Sequence, residues 1–588
     1  MLNNRNQGDC PTSSTVPRGR TGVAARPRIV VLTFGMALSV LAGASPSSAQ
    51  GGRLFYPDDP LWVDDDTLDM EPPADFAFGQ WYDFLQNTLG DPGEGSDIAA
   101  LNVNTVGEVP DSAWFTNRLG LRPMSVAEVA RGPNVASGPA PGTWTVVGKP
   151  GSGVTPKFSI RDERGDKYLV KFDPENLPGT GSSAEVISSK FFHALGYNVP
   201  ANHAVQLDLS RLQIDPEAEF EYRGRTRPIT MDDIHHWLRG VARNPDGTYR
   251  AVASRWIDGT YLGGFRYYGS RPDDPNDIYP HEHRRELRAL RVFSAWLNHD
   301  DSRAINTADF YIEENGRRFI RHYLIDFGST MGSASVHLQP LRGGYEYFIE
   351  PGKVALSLIT LGLWERDYAK VDYPDYPSVG RFEADYFEPW KWKPDYPNPA
   401  FDRMDGADAF WGARLLSFVT DEMIRAVVAE APMPSVEAEY MVETLIRRRD
   451  KVVRYWISRT NPLDGFAVET RSRGHLLTFD NAAARVRAVA EAGAYELVWT
   501  QLDNISGETT PVGGPSNMET TGVTVPDAAW GPLDDTECRY AVALIRSLHP
   551  DFPEWREPIR VTLREHRGTV EVVGVHRPGL ELDYKPVD

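Results

Sequence analysis

Two cysteines in 588 residues, Cys10 and Cys538, leave almost no scope for covalent stapling. Positive charge is scarce as well: 62 Lys and Arg stand against 82 Asp and Glu, a formal net charge of −20. A surface of that sign repels polyphosphate backbones, which excludes nucleic acid as a partner. Long apolar runs are few. The run from Ile29 to Ala44 falls short of the roughly 20 residues a bilayer span needs, so a multi-span membrane protein is excluded. A hydrophobic share of 41% and a charged share of 24% are those of a globular chain, not a wholly disordered one. What is present in quantity is length, enough for about three or four domains of roughly 150 residues.

Arg26 and Arg28 precede the apolar run, and Ser47-Ser48-Ala49-Gln50 follow it. This is signal-peptide form, with cleavage expected after Ala49; an uncleaved N-terminal anchor is the alternative. Cleavage removes five Arg and one Asp, leaving 57 basic and 81 acidic residues and a net charge of −24. It also removes Cys10, so the mature chain can form no intrachain disulfide. No cysteine follows the run, which speaks against a lipid anchor. A periplasmic or secreted protein is expected, with no span after signal removal.

Five segments follow from the residue patterning. Residues 1–49 are the signal. Residues 50–142 are a loop-rich leader, rich in Asp, Pro and Gly, expected to pack on a larger core; its Asp64-Asp65-Asp66 reads as a solvated acidic face, since a calcium loop would need a Gly and a terminal Glu. Residues 143–285 alternate as strands at Thr143 to Gly148, Lys157 to Ile160 and Tyr168 to Phe172. A helix follows from Ala184 to Leu195, with Ser182 or Ser183 as its cap, and then an insertion over 205–285 that includes a strand at Tyr249 to Trp256. Residues 286–462 begin with a helix whose stripe is Leu287, Leu290, Phe293 and Leu297, with Arg284, Arg285, Arg288 and Arg291 outside it. Asn315-Gly316 then marks a two-residue hairpin, and helices recur from Ala407 to Ile457, broken at Pro432 and Pro434. Residues 463–588 read as a small β-rich domain, with strands at Leu476 to Phe479, Glu496 to Trp499, Pro558 to Leu563 and Thr569 to Val575, and a helix over Ala482 to Ala492.

Four short features occur in a meaningful order. Lys171 ends the strand Tyr168-Leu169-Val170-Lys171. Glu185 lies in the next helix. His299-Asp300-Asp301-Ser302-Arg303-Ala304-Ile305-Asn306 follows the arginine-rich helix, and Ile325-Asp326-Phe327-Gly328 closes the hairpin. A lone Asp-Phe-Gly or a lone Gly-rich loop carries little. The conjunction carries more: Asp301 precedes Asn306 by five residues and Asp326 by twenty-five, with the hairpin between.

This set resembles that of a protein kinase: strand Lys, helix Glu, H-x-D-x-x-x-x-N and D-F-G. Ser152-Gly153-Val154-Thr155-Pro156-Lys157 is similar to the loop before the lysine strand in HipA-like kinases, and Ala194-Leu195-Gly196-Tyr197-Asn198-Val199-Pro200 looks like the end of their first helix. CotH-like and phosphoinositide-kinase-like proteins are looser relatives in the same atypical superfamily. The resemblance covers roughly residues 143–460. It implies an α+β fold: a two-lobed core with a small antiparallel β lobe and a mainly helical lobe, flanked by the leader and the β-rich C-terminal domain.

The resemblance also implies Mg-ATP as cofactor and nucleotide ligand, and an unknown protein or small-molecule hydroxyl as acceptor. Phosphoryl transfer is mostly positioning and charge neutralisation. Lys171 would reach the α and β phosphates and pair with Glu185, Asp301 would orient or deprotonate the acceptor, Asn306 and Asp326 would hold magnesium, and Gly151 and Gly153 would let backbone N–H groups approach the phosphates. Two departures stand out. Arg303 occupies the position two after the catalytic Asp where those families often have His, and the loop is not G-x-G-x-x-G. Asp300 adjoins Asp301, but only Asp301 has the spacing to Asn306.

Each residue taken singly also reads as structural: Lys171 with Glu185 as an ordinary ion pair, Asp301 as a turn residue. Nucleotidyl transfer is a close variant of the kinase reading. A pseudokinase or partner-binding protein of the envelope is an alternative, and a secreted glycoside hydrolase a lesser one, for which no matching carboxylate pair is legible. His235-His236 and His281-Glu282-His283 read as exposed and not as metal ligands. Arg447-Arg448-Arg449 reads as a solvated face or a partner of nearby carboxylates. Tyr386, Trp390, Trp392 and Tyr396 read as packing aromatics before a carbohydrate platform.

Overall fold

In the computed structural model, which describes residues 52–579 apart from 77–78, 96, 151–152, 154, 223, 362–365, 473 and 486–492, the leader forms three short helices among loops: α1 (Gln80–Leu89), α2 (Arg118–Leu121) and α3 (Val126–Arg131). The expected signal with Cys10, the loop residue Gly151 and the later part of the helix expected over Ala482–Ala492 lie outside the described residues. The chain is a mixed α/β protein with several sheets.

A loop-rich segment must place its backbone polar groups somewhere. The leader places many of them on the rest of the protein. Met70 N–H donates to Arg318 O at 2.9 Å, Leu101 N–H to His283 O at 2.9 Å, and Leu54 N–H to Asn504 O at 3.0 Å. The acidic stretch is not a uniformly solvated face. Asp65 is exposed, but Asp66 is buried, its carboxylate accepts Ala113 N–H at 2.9 Å, and burial pushes its pKa up to about 6.

The next region is built on β1 (Trp144–Gly148), β2 (Lys157–Arg161), β3 (Lys167–Phe172), α4 (Thr180–Ala194), β4 (Asn202–Leu207), β5 (Leu212–Ile214), the hairpin β6 (Glu219–Tyr222) and β7 (Arg225–Pro228), α5 (Met231–Trp237) and β8 (Tyr249–Arg255). The sheet runs in the order β4-β8-β3-β2-β1-β5. Its pairs are antiparallel except β1 with β5, which is parallel. Part of the stretch read as an insertion therefore supplies sheet strands, with β8 hydrogen-bonded directly to β3. Period-two alternation divides the faces. Phe158, Ile160, Tyr168, Val170, Phe172, Ala251 and Ala253 form one buried core. The register Lys157↔Lys171↔Val252 and Ser159↔Leu169 sends those side chains to the other face.

α4 begins earlier than its sequence signals suggest, at Thr180, because the cap is remote. The buried Asp173 carboxylate accepts Gly179 N–H at 3.0 Å, Ser182 N–H at 2.8 Å and the Ser182 hydroxyl at 2.5 Å. These bonds satisfy first-turn donors that a local cap would otherwise take.

After the short β9 (Thr260–Tyr261) come α6 (Arg285–Leu297), β10 (Thr307–Glu314) and β11 (Arg317–Leu324). Asn315 and Gly316 both have positive φ, 53° and 76°, as a two-residue turn between twisted strands requires. Then follow α7 (Pro351–Ile359), α8 (Pro399–Asp402), α9 (Gly406–Ser417), α10 (Asp421–Ala429) and α11 (Ser435–Ile457). The stripe of α6 joins α4, α9, α10 and α11 in a large apolar core.

The arginines beside that stripe are not a wet face. Arg284, Arg285 and Arg288 are buried. Asp408 of α9, itself fully buried, accepts from Arg285 Nε at 3.0 Å and Arg288 Nη1 at 3.1 Å. The same layer swallows His281, Glu282 and His283, which the sequence placed outside: His281 Nε2 lies 2.7 Å from Asp277, Glu282 accepts Gly269 N–H at 2.7 Å, and His283 Nδ1 lies 2.6 Å from Arg288. His235 and His236 are exposed. Arg448 is also inside, donating to Ala295 O at 2.6 Å and Trp296 O at 2.8 Å, so it closes the C-terminal carbonyls of α6. Trp392 and Tyr396 are buried packing residues.

The C-terminal region holds β12 (Leu463–Arg471), β13 (Gly474–Asn481), α12 (Ala482–Arg485), β14 (Ala494–Leu502), β15 (Thr509–Met518), β16 (Gly522–Thr524), β17 (Cys538–Leu548), β18 (Ile559–His566) and β19 (Thr569–His576). They form a sheet β12-β13-β16 and a sheet β15-β14-β17-β18-β19. β17 is the central strand that sequence reading missed. Cys538 at its start is buried and unpaired.

Asp408 carries the heaviest stability prediction. Removing it strands two buried guanidinium groups, so Asp408→Ala should lower unfolding free energy by about 3–5 kcal/mol. Urea unfolding measures this, and a loss under about 1 kcal/mol would contradict the buried ion triad.

Candidate active site

Lys171 leaves β3 on the face away from the apolar core because its neighbours Val170 and Phe172 are buried in that core. Its Nζ donates to Glu185 Oε1 of α4 at 2.5 Å and to Asp326 Oδ1 at 3.0 Å. The second Glu185 oxygen accepts from Asn202 Nδ2 at 3.1 Å and from Phe327 N–H at 3.2 Å. Burial alone would lower the Lys171 pKa; Asp326 and Glu185 outweigh it and raise it, so the group is an ammonium ion. Burial pushes the Glu185 carboxyl upward against the pull of Lys171. Asp326 is held down at about 2, chiefly by Lys171, and its side chain is half exposed.

The hairpin delivers Asp326. The β10–β11 register pairs Thr307 with Leu324, and Ile325 N–H continues it by donating to Asn306 O at 3.0 Å. Asp326 follows at φ 60°, in the left-handed region, which turns the chain into the Phe327-Gly328 bend. Asn306 Nδ2 donates to Asp301 O at 2.8 Å, which leaves the amide oxygen as its acceptor end. Glu185 and Asp326 thus meet on the Lys171 amine, Asn306 meets Asp301, and the backbone bond from Ile325 N–H to Asn306 O ties the second pair to the strand end before Asp326.

Asp300 and Asp301 separate cleanly. Asp300 is buried, accepts from Gln339 Nε2 at 2.6 Å, and is pushed well above the usual carboxyl range by burial and by Asp395. Asp301 is ion-paired with Arg303 and remains partly exposed. His299 is packed against Phe192 and Phe327, at ring-centre distances of 5.8 Å and 6.0 Å; burial lowers its pKa to about 4, so it is neutral. Its Nδ1 lies 3.4 Å from Ser329 O in the bend after β11.

Gly153 has φ 85°, and a Cβ there would meet Lys157 Nζ at 2.5 Å, so the loop backbone runs against that amine. Lys157 is the functional candidate that sequence reading passed over. It faces Lys171 across the β2–β3 pair, and its pKa is lowered by burial and then by Lys171. The signal was legible: Lys157 and Lys171 share a parity in adjacent strands. Asn202 and Gln339 left no such signal, since each acts across long stretches of chain. A cavity lined by Thr155, Lys171, Asp173, Ser182, Glu185 and Ser335 holds about 10 Å³, barely the space of one water.

Among the described residues no group of three or more His, Cys, Asp and Glu is placed to hold a metal ion. Asn306 and Asp326 offer a different donor set: an amide oxygen whose nitrogen is already committed, and an ionised, half-exposed carboxylate. Oxygen donors few in number suit magnesium, which keeps waters and phosphate oxygens for the rest of its shell.

No family model matches the chain, and no curated protein matches it. Among solved structures it is similar to a Helicobacter pylori proinflammatory kinase, CtkA, at 13% identity, with 53% of this chain covering 98% of that one and a TM-score of 0.27. At that TM-score the likeness carries no weight for the site, which stands on its own geometry.

Asp326 gives the site a pH signature. Its folded pKa, about 2, lies below the ordinary value near ~3.9, so the stability it contributes is complete above about pH 4 and is lost as pH falls toward 2. Asp326→Asn tolerates the positive φ and should be less stable than wild type at pH 7, with the gap narrowing below pH ~4. Thermal unfolding at several pH values checks this; a gap independent of pH would contradict it.

Proposed function

We propose that the chain is an exported phosphotransferase with a two-lobed, kinase-like core, moving a phosphoryl group from Mg-ATP to a hydroxyl acceptor. The observation that carries this is the Lys171 amine held between Glu185 and Asp326, with the Asn306–Asp301 pair tied to the strand end before Asp326 through Ile325 N–H. Such an arrangement presents a fixed cation and two oxygen ligands to a polyphosphate while the rest of the chain is acidic. The sheet bearing Lys157 and Lys171 would form one wall of the nucleotide site, and the His299–Asn306 segment with Asp326 the other.

Asn306 and Asp326 would hold magnesium, which when bound neutralises phosphate charge. Lys171, aimed by Glu185, would bind the phosphates, and Lys157 with the Gly153 backbone would support them from the β2 side. Asp301 Oδ would accept the acceptor's hydroxyl proton as the new O–P bond forms and the bond from the γ-phosphorus to the ADP oxygen breaks. Arg303 is the cation paired with Asp301 at that position.

The Arg303–Asp301 pair is also the observation that favours a second reading, a protein that binds nucleotide and transfers nothing, because the base is already engaged. Two measurements divide the cases. Mg-ATP should raise the melting temperature of wild type and not of Asp326→Ala; no shift for wild type over a broad concentration range ends the proposal. Asp301→Ala should keep nucleotide binding and lose autophosphorylation. Wild type that binds nucleotide without transferring phosphate supports the second reading.

A further inference from the structure

The leader, α9 and the C-terminal strands border a cavity of about 630 Å³, within the roughly 300–1,000 Å³ typical of small-molecule sites. Its wall is mainly apolar. Trp62 and Val103 come from the leader, Phe410 and Trp411 from α9, and Phe466 and Val572 from β12 and β19. No residue of the Lys171 cluster lines it.

Three guanidinium groups reach this cavity, those of Arg285, Arg414 and Arg577. Arg285 is paired with Asp408, and Arg414 with Glu108 and, at 3.6 Å, with Asp464. Arg577, just beyond β19, has no carboxylate partner among the described residues. Its terminal nitrogens donate to Asn461 O and, at 2.6 Å, to Leu463 O, and its guanidinium carbon lies 3.6 Å from the centre of the Phe410 ring. Those carbonyls take one hydrogen from each terminal nitrogen; the Nε–H and the other terminal hydrogens bond no described residue.

Carbonyl groups carry no net charge, so the Arg577 cation keeps its own. The nearby carboxylates are committed elsewhere. Asp408 serves Arg288 as well as Arg285, and Asp464 accepts from Arg485 Nη2 at 2.9 Å besides facing Arg414. Asp405, also on the cavity wall, caps α9 by accepting Asp408 N–H at 2.8 Å, and the helix N-terminus answers its charge. Burial lowers the Arg577 pKa to about 9 against the pull of Asp464, and Arg414 and Arg285 push the same way; the group is still ionised at neutral pH.

We infer that this cavity binds a small organic carboxylate, its head group on Arg577 and its apolar body against Trp62, Val103, Trp411 and Phe466. Each half of such a ligand answers one half of the site. The Nε–H and a terminal N–H of a guanidinium form the fork that a planar carboxylate accepts side-on, and those are the donors Arg577 has left. A neutral apolar molecule would bury the guanidinium without a counter-charge. An inorganic anion would leave the aromatic wall in water, and a multiply charged one would be repelled by Glu108, Asp405 and Asp464 on the same wall. Binding here depends on no chemistry at Lys171.

The test is calorimetric titration of the full chain with decanoate and with 1-naphthoate, using 1-decanol as the uncharged counterpart. Wild type should bind at least one of the acids at a single site, and Arg577→Gln should weaken that acid at least about tenfold. Decanol should bind wild type at least about tenfold more weakly than decanoate, a gap that Arg577→Gln closes. Because Arg577 also ties β19 to residues 461–463, a second variant guards against misfolding: Trp62→Ala, at a position 41% exposed, should keep the wild-type melting temperature and weaken the acid about threefold or more. If Arg577→Gln does not fold, Trp62→Ala and the decanol comparison decide. Failure of both acids to bind wild type overturns the inference, as does decanol binding as tightly as decanoate, or unchanged acid affinity in a folded Arg577→Gln. Acid binding that appears only in a chain ending at Gly579 also overturns it, and assigns the cavity to the protein's own last residues.

Discussion

The amine of Lys171 lies between two carboxylates, 2.5 Å from Glu185 and 3.0 Å from Asp326, and this cluster fixes how β3, α4 and the loop after β11 meet. Its strength comes from burial. A lysine at 13% and a glutamate at 4% side-chain exposure cost several kcal/mol to take out of water, a cost recovered only when geometry is tight and remaining lone pairs are used. Glu185 meets that condition through Asn202 and the Phe327 amide. Asp326 does not need it, because its side chain is half open to solvent. The cluster therefore has one sealed side and one wet side, and the wet side is where a charged ligand can enter the network.

A second charge cluster stabilises the frame around this one. Arg285 and Arg288 of α6 converge on Asp408 of α9, with His283 beside Arg288. The N-terminal leader closes it, Arg285 Nη1 donating to Gly107 O at 2.8 Å and Arg288 Nη2 to Ile98 O at 2.9 Å. α6 runs directly into the His299–Asn306 segment, so the leader, which looks peripheral in sequence, sets the position of the helix that delivers the candidate base.

Much of this was legible in the sequence where the signal is local. Asn315-Gly316 forced positive φ at two consecutive residues, and the register that followed put Asn306 beside Ile325. Arg567-Gly568 did the same between β18 and β19, where φ is 52° and 85°. The order Lys171, Glu185, Asp301, Asn306, Asp326 pointed to one site; Lys171 touches Glu185 and Asp326, and Asn306 touches Asp301. What escaped was set by partners far along the chain. The arginines of α6 lie outside its apolar stripe, and the leader and Asp408, more than a hundred residues away, are what bury them. Ser182 looked like a helix cap, but Asp173 does that work from the preceding strand end. β17 escaped because a strand buried on both faces loses its alternation. Gly151, assigned to the phosphate loop by resemblance, lies outside the described residues, whereas Gly153 and Lys157 show the loop running against the same sheet face as Lys171.

The account turns on whether the Lys171 cluster binds polyphosphate. Calorimetric titration of magnesium with a non-hydrolysable ATP analogue into wild type and Lys171→Met tests that most directly. Saturable one-site binding to wild type, weakened about a hundredfold or more by the substitution, is the predicted result. Absence of binding to wild type, or equal affinity in both proteins, would contradict it.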